Sequence, residues 1–158
     1  NNHKKNLYLE KLKLLKIRKD LIELSQDDFA EIIPLAQQLN PKLSEVELKD
    51  FLFQMFGFSN YYCFGLRENN SLIAISSGWV TVRFYSGKQL EVDNVVVDQK
   101  FQSKGYGKLL FQHIENWAKE QDCNSVELNT YLENRRSHKF YHQNAYSILG
   151  FHFCKFLK

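Results

Sequence analysis

The spacing of apolar positions is helical up to about residue 57 and changes at Tyr61. Phe29, Ile32, Ile33, Ala36 and Leu39 fall on one side of a helix that Asp27 or Asp28 can cap. Pro34 interrupts that pattern, so this helix is expected to kink or to start late. Ser44-Glu45-Val46-Glu47 reads as a capping box, and Leu48, Phe51, Leu52, Met55 and Phe56 follow at helical spacing. Ahead of both helices, Ile17 to Leu24 reads as an edge strand, with a helical alternative over Leu7 to Ile17. From Tyr61 the chain is rich in β-branched and aromatic residues. Tyr61 to Arg67, Leu72 to Tyr85 and Leu90 to Val97 read as three antiparallel strands, with turns at Asn69-Asn70 and Ser86-Gly87-Lys88.

Helical spacing returns with Tyr106, Leu109, Leu110, Ile114, Trp117 and Ala118, and it lasts to about Gln121. A short strand from Ser125 to Thr130 follows, then a helix from Asn134 to Asn144. Tyr146 to Leu157 reads as a closing strand broken near Gly150. The strands on either side of the Tyr106 helix should lie parallel, joined by a right-handed crossover. The expected fold is α/β: a central mixed antiparallel/parallel sheet flanked by helices on both faces. The 158 residues fit one domain, 1–158, with residues 1–15 as a basic N-terminal extension. The first residue is not methionine, so a longer natural start is expected.

Charge changes this picture at one end. Residues 1–20 hold seven bases and two acids, a net of +5, inside a total of +3. Residues 21–50 hold seven acids and two bases, a net of −5. The basic start reads first as a solvated tail and only then as a contact for nucleic acid or an anionic membrane. Three widely spaced cysteines, Cys63, Cys123 and Cys154, argue against a disulfide framework or a zinc cluster and for a reducing, cytoplasmic setting. No apolar run approaches the length of a membrane span, so no membrane partner is expected. His138 and His142 stand four apart on a predicted helix, but no third ligand accompanies them, and no metal is expected.

The chemistry concentrates where a strand gives way to a helix. Gln102-Ser103-Lys104-Gly105-Tyr106-Gly107-Lys108 follows the strand ending at Val97 and carries two of the chain's seven glycines. Unpaired N–H groups at a helix start, with the helix dipole behind them, bind anions, and glycine lets a ligand reach the main chain. The expected ligand is a phosphate or pyrophosphate.

With these residues in place the chain resembles the GNAT-family N-acetyltransferases. The family's acyl-CoA motif, Gln/Arg-x-x-Gly-x-Gly/Ala after a bulged strand, is filled by Gln102, Gly105 and Gly107. Its Asn-x-x-Ala-x-x-Phe-Tyr pattern appears as Asn134 to Tyr141, with Ser137 in the Ala position. The Gly-Phe that often follows appears as Ala145-Tyr146. The clear resemblance covers roughly residues 90–157.

The resemblance implies acetyl transfer from acetyl-CoA to a primary amine by direct attack in a ternary complex. Backbone N–H groups of Gln102, Ser103, Lys104, Gly105, Tyr106, Gly107 and Lys108 would hold the pyrophosphate, with charge from Lys104 and Lys108. Val95, Val96 and Val97 would pair with the pantetheine arm, and an N–H near Val97 would bond the thioester carbonyl. Tyr141 would protonate the departing thiolate. Asn134 would bond the pantetheine arm or a water while capping its helix. Glu91, six residues before Val97, would be the general base, with Asp93 as rival; strand alternation puts Glu91, Asp93, Val95 and Val97 on one face unless a bulge intervenes.

In the family the acceptor pocket uses the first two helices, which here are acidic. A cationic small-molecule or peptide amine is therefore the expected partner, with a homodimer left open. Two alternatives stand beside this reading. One is a catalytically idle acyl-CoA-binding or regulatory module. The other is an acetyltransferase acting on a protein or aminoacyl-tRNA amine, and nucleic acid ranks last among partners.

Overall fold

A computed structural model of the chain describes residues 21–157. The basic extension, the helical alternative over Leu7 to Ile17 and the start of the first expected strand lie outside these residues. Five strands and four α-helices follow in the expected order: β1 Leu21–Glu23, α1 Phe29–Leu39, α2 Glu45–Phe56, β2 Tyr61–Glu68, β3 Ser71–Arg83, β4 Gly87–Val97, α3 Tyr106–Glu120, β5 Ser125–Leu128 and α4 Arg135–Gln143. The strands lie in the sheet in chain order, β1-β2-β3-β4-β5. The first three pairings are antiparallel, and between β2 and β3 the two-residue turn Asn69-Asn70 requires it. Both asparagines there take positive φ (51° and 64°).

Alternation along β2 assigns the two faces of the sheet. Tyr61 and Cys63 point one way and join Phe29, Ile32, Leu48, Leu52, Ile75 and Val96 in the core beneath α1 and α2. Tyr62 and Phe64 point the other way, where both rings pack on Trp117 of α3 at 4.5 and 5.0 Å. On α3, Leu109, Leu110, Phe111, Ile114 and Ala118 are buried. Burying each large member of that stripe contributes about 1.5–3 kcal/mol, which is what holds a 15-residue helix to the sheet.

Helix ends follow local chemistry. Ser44 and Glu47 form the expected capping box, with Ser44 N–H donating to Glu47 Oε2 at 2.8 Å. Asp28 stands at the N-cap of α1 without a side-chain cap bond, and the 3-10 turn Gln26–Asp28 that leads into the helix is capped by Ser25. Its hydroxyl accepts from Asp27 N–H, and the Asp28 carboxylate reaches back to Ser25 N–H at 2.8 Å. Pro34 lies on the exposed side of α1, and the helix runs on to Leu39.

The residues from Leu128 onward form a unit of their own. Asn134 caps α4 by accepting from Ser137 N–H at 3.1 Å. At the other end, Ala145 N–H donates to His142 O and Tyr146 N–H to Tyr141 O, the paired bonds of a Schellman motif. That motif puts Ala145 at φ 64°, a conformation suited to glycine. Left-handed backbone costs a non-glycine residue about 1–2 kcal/mol, and glycine's looser unfolded chain returns about 0.4–1 of that. Ala145→Gly should therefore stabilise the protein by about 0.5–1 kcal/mol, read as a higher urea midpoint; a lower midpoint would count against this cap.

The closing strand expected from Tyr146 to Leu157 does not form. Those residues carry no regular secondary structure, and Ile148, Leu149, Phe151, Phe153, Phe156 and Leu157 are exposed. A strand exists only where a neighbour takes its hydrogen bonds, and none among the described residues is assigned to pair there. Apolar alternation alone could not supply that partner.

Candidate active site

The glycine turn is built from its ends inward. Asp98 closes β4 and caps the 3-10 turn Gln99–Phe101 by accepting from Lys100 N–H. Gln38 of α1 holds the same turn from outside, accepting from Gln99 N–H at 3.1 Å and donating to Asp98 at 3.3 Å. Gln102 folds back so that its amide donates to Val97 O at 2.9 Å. Tyr106 donates its hydroxyl to Glu68 at the end of β2, and that bond pushes the phenol pKa up to about 12. Lys104 bends over the Phe101 ring and donates to Lys100 O at 2.9 Å. The lysine thus braces its own loop.

Between these braces the helix start is bare. Gly105 stands at φ 88° as the N-cap of α3, and no side chain caps it. A Cβ added at Gly105 would meet nothing within 4 Å. The first intrahelical bond is Leu109 N–H to Gly105 O, so the helix itself gives no acceptor to the N–H groups of Tyr106, Gly107 and Lys108. An open approach to a cluster of amides suits a diphosphate.

The strand before the turn is bulged. Ser77 pairs with Asp93, but Ile75 pairs with Val96, so β4 carries one extra residue between them. Asn94, at φ 51°, absorbs the distortion. Two buried serines fix it, both donating to Asp93 O (Ser76 at 3.3 Å, Ser77 at 3.4 Å). Asn94 donates its amide to Ser77 Oγ at 3.0 Å. The bulge moves Val96 onto the face of Asp93 and Val97 onto the opposite one. Ser76, Ser77 and Asn94 were not singled out from sequence; their one signal was a pair of hydroxyls inside an apolar strand.

The far edge of β4 is not paired by β5 near its end. Asp98 N–H donates to Ile73 O of β3 at 2.8 Å, so alternation turns the Val97 N–H toward the other edge. On that edge β5 starts beside Lys88, where Asn124 N–H donates to Lys88 O at 2.7 Å. Four residues span roughly 13 Å and eleven roughly 36 Å, so β5 is too short to accompany β4 to Val97.

A cavity of about 420 Å³ opens beneath α1 and α2 and reaches the bulge. Ile32, Leu48, Leu52 and Ile75 form much of its wall, with Asp93, Asn94 and Ser77 at the sheet end. Tyr61 and Cys63 also line it; burial raises the pKa of both, the thiol to about 12, so Cys63 stays protonated. The two carboxylates nominated from sequence diverge here. Glu91 accepts from Arg83 at 2.7 Å and is absent from the cavity wall, whereas Asp93 lies on it. Four acids of residues 21–50 are engaged elsewhere, Asp28 and Glu31 on Arg67, Glu47 on Ser44 and Asp50 on Gln54, and no acid of that segment lines the cavity.

In the C-terminal unit, Tyr141 stands in the last turns of α4 with its ring packed against Tyr146 (5.8 Å) and Phe140 (5.4 Å). His138 bonds Tyr131 O through Nε2. Among the described residues no group of three or more His, Cys, Asp or Glu gathers as a metal site, and no helix is long and apolar enough to cross a membrane.

A sequence profile of the acetyltransferase (GNAT) family matches residues 20–146. The chain belongs to the GNAT acetyltransferase family. It is an acyltransferase, and its family's reaction is acetyl transfer to an amine. The uncharacterized N-acetyltransferase YhdJ of Bacillus subtilis (strain 168) is 27% identical over 120 residues, covering 74% of this chain and 82% of YhdJ. Among solved GNAT-like structures, AAC(6')-Iy in complex with the bisubstrate analogue CoA-S-monomethyl-acetylneamine superposes with a TM-score of 0.78. It is 14% identical, with 88% of this chain and 97% of that one covered. The ribosomal-protein-alanine N-acetyltransferase of Brucella melitensis biovar Abortus 2308 gives a TM-score of 0.75 at 19% identity, covering 87% and 98%. At these identities the solved structures speak for the fold.

Proposed function

We propose that this GNAT-family enzyme moves acetyl from acetyl-CoA to a primary amine by direct attack in a ternary complex. One observation carries the reading: a bare helix start at an open, left-handed Gly105, set immediately after a bulged strand whose far edge is free of β5. The complex of AAC(6')-Iy with a CoA-based bisubstrate analogue supports the same donor here.

In this reading the amides of residues 102–108 hold the diphosphate, and the dipole of α3 adds partial positive charge. Lys108 adds charge at the helix start, while Lys104 contributes mainly by bracing the loop. The edge of β4 from Val95 to Val97 pairs with the pantetheine arm. The Val97 N–H, turned away from β3, polarises the thioester carbonyl. Asn134, which already caps α4, serves the pantetheine arm from its remaining hydrogen-bonding capacity.

The amine must arrive at the carbonyl neutral. An alkylammonium and a carboxylate differ by about six pK units, so a carboxylate orients the ammonium and a water, and the proton passes on to solvent. Asp93 fills that role from the cavity wall; Glu91, held by Arg83, steadies the strand from outside it. The amine nitrogen then bonds the acyl carbon, the carbon–sulfur bond breaks, and the Tyr141 hydroxyl gives its proton to the sulfur; the proton that the nitrogen sheds on becoming an amide passes to solvent, from which the phenolate is reprotonated.

The test is calorimetric titration of the chain with CoA, followed by assay of free thiol released from acetyl-CoA in the presence of amines. Binding with amine-dependent thiol release is expected. Binding without release for any amine would make the chain a carrier module, and absence of binding would remove the donor site.

A further inference from the structure

The cavity beneath α1 and α2 is built for an apolar guest. Among the described residues that line it, Asp93 alone carries a charge. Its wall includes Leu39, Phe51 and Phe58, which remain 40%, 44% and 57% exposed. Large apolar side chains left open to solvent around a concave site mark a binding groove rather than a core. Phe58 is held in place edge-on against Trp79 at 5.4 Å, so the apolar mouth is preformed. The acids that give residues 21–50 their charge of −5 supply none of the wall. A guest with several ammonium groups would find one carboxylate for all of them, and its polar body would meet a mostly apolar wall.

We propose that the acceptor is a primary monoamine with an apolar body, of the aralkyl or longer alkyl class. Its ammonium meets Asp93 beside the bulge, and its body fills the space between Leu39, Phe51, Phe58 and the floor at Ile75. This rests on the acetyltransfer reading and names the substrate of that site. The position is chemically coherent, because Asp93 adjoins Asn94 and the Val95–Val97 segment, where the acyl group would be presented. Each methylene that the wall takes out of water should raise kcat/KM about fourfold until the cavity is filled.

The experiment uses the whole chain with acetyl-CoA at a fixed saturating concentration. Propylamine, pentylamine, heptylamine, 2-phenylethylamine, spermidine, an aminoglycoside and a peptide with an N-terminal alanine are compared by thiol release. The same amines are titrated calorimetrically without donor. The expected result is a fourfold rise per methylene along the alkyl series, with 2-phenylethylamine at least tenfold ahead of spermidine. Asp93→Asn should raise the KM for the apolar amines tenfold or more. Phe58→Ser, at an exposed wall position, should flatten the chain-length dependence without needing a change at the bulge. Spermidine, the aminoglycoside or the peptide leading, with no gain from added methylenes, overturns the proposal and leaves acetyl transfer standing. Apolar amines that bind in an Asp93-dependent way without thiol release uphold the cavity assignment and overturn the catalytic reading. Failure of the apolar amines both to bind and to react overturns the proposal outright.

Discussion

Gly105→Glu should weaken acetyl-CoA binding at least a hundredfold, and Gly105→Ala about tenfold. Both side chains meet the same backbone constraint, φ 88°, which costs about 1–2 kcal/mol. Both also place a Cβ in space that is open in the parent and that the diphosphate would fill. Only glutamate adds a negative charge beside a ligand of the same sign. The two variants separate binding from folding, because an acid near a helix start favours the helix by about 0.3–1 kcal/mol. Gly105→Glu should therefore unfold no earlier than Gly105→Ala in a thermal scan while binding CoA more weakly in calorimetry. Equal CoA affinities for the two variants would mean that the helix start faces no anion.

Tyr141→Phe should lower kcat about a hundredfold near neutral pH and leave the KM for acetyl-CoA within about twofold. The substitution removes the hydroxyl alone. The ring contacts with Phe140 and Tyr146, and the Schellman bonds that end α4, do not involve it. Loss confined to kcat is the signature of an interaction made in the transition state. The pH–rate profile gives a second readout: a general acid produces a falling alkaline limb, which the variant should lack. A variant with unaltered kcat would return Tyr141 to a packing role.

Most of the fold was legible because its cues are local. The capping box at Ser44 and Glu47, the helical spacing of Leu109, Leu110 and Ile114, and the Asn69-Asn70 turn each depend on a few neighbouring residues. Tyr146 to Leu157 has the composition of a strand, but a strand needs a partner that sequence does not display. At the start of α1, Asp28 holds the expected cap position, but its carboxylate turns back to accept from Ser25 N–H.

The candidate site divides along the same line. The glycine turn could be read directly, since an anion site at a helix start is made by consecutive residues. Alternation placed Glu91, Asp93, Val95 and Val97 on one face subject to a bulge. The bulge exists because Ser76 and Ser77, on the neighbouring strand, both bind one carbonyl of β4.

By itself the sequence determined the family, the order of elements and the glycine turn, because each is written in short-range spacing and residue type. Tertiary structure alone decided that Asp93 rather than Glu91 reaches the cavity, and that the acids of α1 and α2 are not part of its wall. Those outcomes depend on which side chains meet across strands and between helices, at separations in sequence over which local pattern carries no information.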